Sequence, residues 1–228
     1  MQSNASSPLF SRFLRLFFRL LYHQFAWAYD LIAWIVSAGQ WQNWVLSILS
    51  DLGGGRVLEL GYGPGHLQVA LRREGTKPFG IDASAQMASI AFKRILNVGY
   101  TPMLVNGYAQ FLPFDNDCFD FILASFPTNY ILDPLTLSEA YRVLRPGGIL
   151  RVLPLARPTG NSPISIALSW LFRLTGQAPS QASDQVGQEL KSAYLDPCEQ
   201  AGFSATASYR KVKSGELWLI NAMKPSKL

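Results

Sequence analysis

Val57-Leu58-Glu59-Leu60-Gly61-Tyr62-Gly63-Pro64-Gly65 is the stretch on which the reading of this chain turns. Val57 to Leu60 is short, largely aliphatic and bounded by glycine, as a buried strand is. Leu67 to Arg73 then reads as a helix. Strand, glycine turn and helix in this order build a place for a ligand. Gly61 permits a sharp turn, and Gly63 and Gly65 let a ligand approach backbone where a Cβ would collide. The helix N-terminus beyond offers free N–H groups to a carboxylate or phosphate. The glycines stand at i, i+2 and i+4, and His66 holds the place of the third glycine of the dinucleotide fingerprint. The spacing therefore argues against a nicotinamide loop.

Downstream, the same grammar repeats. Pro78 to Ile81 is expected as a second strand, ending at Asp82. Ser84 is the expected N-cap of a helix running to Leu96. Met103–Val105 and Phe119–Ser125 read as the third and fourth strands, and Leu135–Leu144 as a helix stopped by Arg145-Pro146-Gly147-Gly148. Ile149–Leu153 is the fifth strand. Strands alternating with helices mean parallel βαβ units, wound right-handed. Near the end, Phe203–Val212 and Leu217–Met223 flank Ser214-Gly215, which reads as a hairpin turn. The expected fold is α/β: a Rossmann-like doubly wound sheet of seven strands, with an antiparallel C-terminal hairpin and an N-terminal helical cap.

Upstream of the loop, residues 1–44 are expected as that cap or lid, with helices over Pro8–Tyr22, Gln24–Ala38 and, past Gly39, Gln40–Ser50. Residues 45–228 form the ligand-binding domain, with a lid insertion over about 155–198 marked by Pro154, Pro158 and Pro163 and an apolar helix over Ile164–Leu174. Arg12, Arg15 and Arg19 make a basic stripe on the first helix beside Phe13, Phe17 and Phe18. Such a helix can lie among anionic lipid headgroups as a peripheral membrane contact. The alternative, which we prefer, packs it on its own domain with the arginines in water.

Composition narrows the function classes. Of 228 residues, 49 % are apolar and 15 % charged, which favours a folded core over disorder. The net charge is +5, but no run of five Lys or Arg exists, so nucleic acid is not expected as a partner. Cys118 and Cys198 form no CxxC pair, so neither a metal site nor a disulfide framework is expected. Arg12, Arg15 and Arg19 break the N-terminal apolar segment, which argues against a signal peptide. Leu31–Ser50 carries no formal charge, yet Gln40, Gln42 and Asn43 interrupt it, and a bent helix pair is expected rather than a membrane span. A cytoplasmic protein is expected, peripheral at the membrane if the basic helix binds lipid.

Asp82 lies 21 positions after Gly61, at the end of a strand, where a carboxylate can accept both hydroxyls of an adenosine ribose. Two further segments share an order with it: Gly107-Tyr108-Ala109-Gln110-Phe111-Leu112-Pro113-Phe114-Asp115-Asn116-Asp117-Cys118-Phe119-Asp120, and Arg142-Val143-Leu144-Arg145-Pro146-Gly147-Gly148. Together with the glycine loop, over residues 56–153, they resemble the class I S-adenosylmethionine (SAM)-dependent methyltransferases. The resemblance implies SAM as cofactor, with its methionine moiety on the glycine loop. The cofactor contacts it implies are Glu59, Gly61, Tyr62, Gly63, Gly65, Asp82, Ala83, Met87, Gly107, Tyr108, Ala109 and Ser125, with Tyr29 of a Tyr29-Asp30 pair covering the pocket. Tyr108 departs from the family, which usually carries an acidic residue there against the adenine amino group; Ala109 and Gln110 remain able to reach the adenine edge.

The implied reaction is an in-line methyl transfer, in which holding the acceptor and excluding water are the main tasks. A sulfonium favours aromatic faces, and Tyr22, Tyr29, Trp34, Tyr62 and Phe126 are candidates by position. His23 and Tyr29 are the candidates for a catalytic role. Ser125-Phe126-Pro127-Thr128-Asn129-Tyr130 is the expected substrate loop. Residues 8–44 and 155–198 are rich in Phe, Trp, Leu and Ile, which favours a small hydrophobic acceptor such as a lipid, a quinone-like ring or a polyketide. The competing readings are a non-catalytic SAM-binding or membrane-associated module and an NAD(P) oxidoreductase.

Overall fold

A computed structural model describes residues 40–49, 52, 54–158, 191–212 and 215–226. The expectations placed on residues 8–38 and on the lid helix at 164–174 lie outside them. Among these are Arg12, Arg15, Arg19, Tyr22, His23, Tyr29 and Trp34.

The strand that opens the glycine loop, β1 (Val57–Leu60), is buried at all four positions. A strand in mid-sheet has helices over both faces, so it carries no polar side to water. The elements after it are α2 (His66–Arg73), β2 (Phe79–Asp82), α3 (Ala85–Asn97), β3 (Leu104–Asn106), β4 (Phe119–Ser125), α4 (Pro134–Val143), β5 (Leu144–Pro158), α5 (Asp196–Gln200), β6 (Ser204–Val212) and β7 (Gly215–Met223), with α1 (Trp41–Leu46) before β1. The seven strands lie in the order β3-β2-β1-β4-β5-β7-β6. β1 to β5 pair in parallel, and β7 runs antiparallel to both β5 and β6. This is the expected doubly wound sheet with its C-terminal hairpin. The chain leaves β1 towards β2 and β3 on one side, then returns to lay β4 on the other. That reversal opens a crevice beyond the carboxyl ends of the strands.

Local chemistry sets the element ends. Ser84 caps α3, its Oγ accepting from the Met87 amide at 3.3 Å. Asp133 caps α4 with Oδ1 on the Leu135 amide at 2.9 Å, and Pro134 follows as first helical residue, where its missing N–H costs nothing. Alternation along the strands separates two apolar layers. Leu58, Leu60, Ile122 and Leu150 join Leu137, Ala140 and Val143 of α4 on one face. Val57, Leu123 and Leu153 join Trp44, Val45 and Ile48 near α1 and Leu67 and Leu71 of α2 on the other. The boundary expected at residue 44 thus falls inside α1, between two side chains buried in one cluster.

β5 is longer than the five residues expected. At its start Leu144 pairs with Phe119 and Ile149 with Phe121, so Arg145–Gly148 is accommodated as an irregularity within the pairing. Gly148 is required there: a Cβ would stand 2.9 Å from the Arg145 carbonyl oxygen and 3.1 Å from that of Asp120. At its end Leu155–Pro158 pair with Trp218–Gly215 of β7, so these four residues of the expected insertion continue the sheet. Leu195 and Cys198, at the insertion's other end, are buried in the α4-side layer. Cys118 and Cys198 are buried free thiols. Among the described residues no helix is long and apolar enough to cross a membrane.

Candidate functional site

The three glycines of the opening stretch meet different demands. Gly61 has φ +70°, its N–H donates to the Ile81 carbonyl at 2.8 Å, and a Cβ would lie 2.5 Å from the Tyr130 hydroxyl. Gly65 has φ +85° and a Cβ would meet the Ala91 Cβ of α3 at 2.9 Å. Packing therefore demands glycine at both. At Gly63, φ is +51° and a Cβ would meet nothing within 4 Å. Only the backbone conformation excludes a side chain there, and that side of the loop is an open cradle.

Asp82, at the carboxyl end of β2, closes the loop. Its Oδ2 accepts from the Gly63 amide at 2.8 Å and its Oδ1 from the Ser84 amide at 2.8 Å. Burial raises its pKa above the ordinary carboxylate value, while the Ser84 and Gly63 amides pull it down. Each oxygen keeps a second lone pair for a ligand hydroxyl. Glu59 faces α2 beneath the loop, its Oε2 accepting from Gln68 Nε2 at 2.8 Å. Burial pushes its pKa up to about 8, against the Gln68 hydrogen bond and with help from the charge of Asp82. The Tyr62 hydroxyl is buried and has no hydrogen-bond partner among the described residues. Burial, then the charges of Asp82 and Glu59, raise its pKa. An orphaned buried donor beside an open glycine cradle is what a ligand-binding loop leaves to be satisfied.

Of the other expected contacts, Tyr29 lies outside the described residues. Ala83 is exposed, and Met87 is fully buried under the first turn of α3. The Gly107 amide donates to the Asp82 carbonyl at 3.0 Å, which sets the turn after β3 beside the loop. In that turn Ala109 is buried while Tyr108 is 65 % and Phe111 74 % exposed. Gln110 Nε2 donates to Asp133 Oδ2 at 3.0 Å; that bond, then the Leu135 amide, holds the Asp133 carboxyl below its usual range. Ser125 ends β4, half-buried. Phe126 follows with φ +47°, a left-handed backbone that a phenylalanine rarely adopts. Its N–H is fixed to the Leu153 carbonyl at 2.8 Å, and its ring lies 6.5 Å from that of Trp44.

Three features were missed at the level of sequence. Trp44 lies in the buried layer against which Phe126 packs. His66 faces Gln42 of α1, with Nδ1 3.3 Å from Gln42 Nε2. Tyr130, within the expected substrate loop, reaches the end of β1, its hydroxyl donating to the Leu60 carbonyl at 3.0 Å. The apolar spacing of α1 was the available signal for Trp44; the glycine loop pointed to His66 and the loop after β4 to Tyr130, but nothing in the sequence marks the partners they take.

A model of the ubiE/COQ5 methyltransferase family matches residues 18–177. The chain is 33 % identical over 207 residues to the ubiquinone/menaquinone biosynthesis C-methyltransferase UbiE of Xylella fastidiosa (strain M12), covering 82 % of this chain and 81 % of that protein. It is 30 % identical over 149 residues to the demethylmenaquinone methyltransferase of Symbiobacterium thermophilum, covering 61 % of this chain and 59 % of that protein, less than two thirds of the relative's length. Among solved structures, one described as a SAM-dependent methyltransferase from Methanococcus maripaludis superposes with a TM-score of 0.64 over 100 % of this chain and 98 % of that one, at 19 % identity. Identity that low speaks for the fold alone.

Proposed function

The chain belongs to the ubiE/COQ5 methyltransferase family, a class I SAM-dependent methyltransferase by sequence and fold, and from that premise we propose that it methylates a ring carbon of a hydrophobic, quinone-type acceptor. The observation that carries the cofactor half of the proposal is the pairing of the open Gly63 cradle with the Asp82 carboxylate. The acceptor half is supported by the printed names of the two relatives.

SAM, when bound, supplies an electrophilic methyl group. The chain's own residues bind and orient. The amides opening α2 suit the methionine carboxylate, Asp82 suits the ribose hydroxyls, and Tyr62 has a hydroxyl to offer. Phe126, half-buried just past the carboxyl end of β4, is the aromatic we propose for packing a flat apolar ring and excluding water. For a ring carbon to take the methyl group, the methyl–sulfur bond would break as the C–C bond forms, S-adenosylhomocysteine would be the leaving group, and the ring carbon would give up its proton. His23 and Tyr29 are the residues we propose for that proton.

Calorimetric titration with SAM and with S-adenosylhomocysteine (SAH), beside Asp82→Ala, tests the cofactor half. We expect one-to-one binding that weakens about tenfold or more in the variant, the loss of at least one charge-assisted contact. A folded wild-type protein that binds neither ligand would sink the reading. Methylation of a demethylated naphthoquinol, followed as a mass gain of one methylene, tests the acceptor. Cofactor binding without turnover across quinol, lipid and polyketide probes would leave the non-catalytic module as the better reading.

A further inference from the structure

The segment between β4 and α4 touches the cofactor loops from two sides. Tyr130 donates to the carbonyl of Leu60, the last residue of β1. Its hydroxyl also occupies the space that a side chain at Gly61 would need. Asp133, three residues on, receives Gln110 from the turn after β3. At the segment's other end Phe126 is locked in a left-handed conformation with its N–H on Leu153. A strained residue that survives beside a site is held there by its surroundings. The segment is therefore anchored at both ends and pinned in the middle to the peptide that precedes the glycine loop.

Resting on the reading above, we propose that Tyr130 is a positioning residue that couples the two halves of the site. Its hydroxyl on the Leu60 carbonyl carries the seating of the cofactor on Gly61–Gly65 into residues 126–133, which face the acceptor. The ring is half-buried against the α4-side core, so the aromatic body holds the segment in place while the hydroxyl makes the link to Leu60. Tyr130→Phe keeps the first and removes the second. Coupling of this kind is reciprocal: an acceptor that orders 126–133 tightens the cofactor by the same factor. Proximity alone does not establish it, so the test must read the link itself.

Hydrogen exchange of the full chain, followed by mass spectrometry with and without saturating SAH, reads it without an acceptor. In the wild-type protein we expect SAH to slow exchange in peptides over 61–66 and over 126–133. In Tyr130→Phe, protection of 61–66 persists, the ligand-dependent protection of 126–133 disappears, and SAH binds about two- to tenfold more weakly. Equal SAH-dependent protection of 126–133 in both proteins overturns the coupling and leaves the cofactor reading standing. Free exchange of 126–133 in the variant even without SAH marks a merely structural tyrosine, and overturns it too. No protection of 61–66 in the wild type overturns the cofactor reading and the coupling with it.

Discussion

At the residue scale the sharpest consequence concerns Glu59. Its pKa of about 8 in the folded chain stands well above the ordinary glutamate value of 4.5, chiefly because it is buried. At pH values below about 4.5 both folded and unfolded chains hold the proton, and the group does not change stability. Between there and pH 8 the unfolded chain releases the proton while the folded chain keeps it. The folded state then binds more protons, so stability falls as pH rises, by up to about 1.4 kcal/mol per pH unit. Glu59→Gln keeps the shape and removes the titration. We expect urea unfolding to show the wild type losing stability from pH 5 to pH 8 relative to the variant; parallel pH profiles would refute the assignment. Asp82 drew attention in the sequence by its place at a strand end 21 positions after Gly61, and Glu59 only through the family resemblance. Their partners were not legible. Gln68 reaches Glu59 from the next helix, and the Gly63 amide reaches Asp82 only because φ +51° aims it there.

At the scale of elements, the glycine loop separates binding from folding. Gly65 sits where α2 begins and α3 crosses, with the Ala91 Cβ 2.9 Å and its Cα 3.0 Å from any added Cβ. Gly65→Ala combines a left-handed backbone with a clash against a helix. It is expected to cost about 2–4 kcal/mol in stability. Gly63→Ala has the backbone term alone and is expected to cost about 1 kcal/mol, yet to weaken SAH binding at least as much as Gly65→Ala does. Denaturation midpoints and SAH titrations on both variants check this; equal stability losses would mean that the close approach of α2 and α3 is not what Gly65 serves. Element identity was readable from periodicity for β1, β2, β4, α3 and α4, within a residue or two. The length of β5 was not. Arg145–Gly148 carries every sign of a turn, and it does stop α4, but an irregular register absorbs it into the strand. Leu155–Pro158 looked like loop because Pro154 and Pro158 bracket it, whereas β7 is long enough to pair with it.

For the whole molecule, the doubly wound sheet with its antiparallel end followed from alternation and from the late hairpin, because handed crossovers leave few other ways to lay such a chain. What ties the last strand to the rest did not. Lys224 follows β7 and is 8 % exposed. Its Nζ donates to Asp117 Oδ1 at 2.6 Å, to the Tyr141 carbonyl at 2.9 Å and to the Leu144 carbonyl at 2.7 Å. Those carbonyls belong to the end of α4, where helix carbonyls lack intrahelical donors and a cation is favoured. The convergence joins three segments distant in sequence, so no local pattern could announce it. Lys224→Met keeps the aliphatic stem and removes three donors. The Tyr141 and Leu144 carbonyls lose their partner, and the variant is expected to lose about 2–4 kcal/mol of stability. Lys224→Arg should not rescue it, since a planar fork cannot point at three separate oxygens as an ammonium does. Binding should be spared. Met223 pairs with Ile149 at the amino end of parallel β5, whereas the glycine loop and Asp82 lie at the carboxyl ends of β1 and β2. The two sites therefore occupy opposite ends of the sheet. SAH titration of folded Lys224→Met should match the wild type within about twofold, even as its unfolding midpoint drops. A parallel loss of SAH affinity would mean that the sheet transmits disturbance from one end to the other, and that the C-terminal anchor belongs to the site's own support.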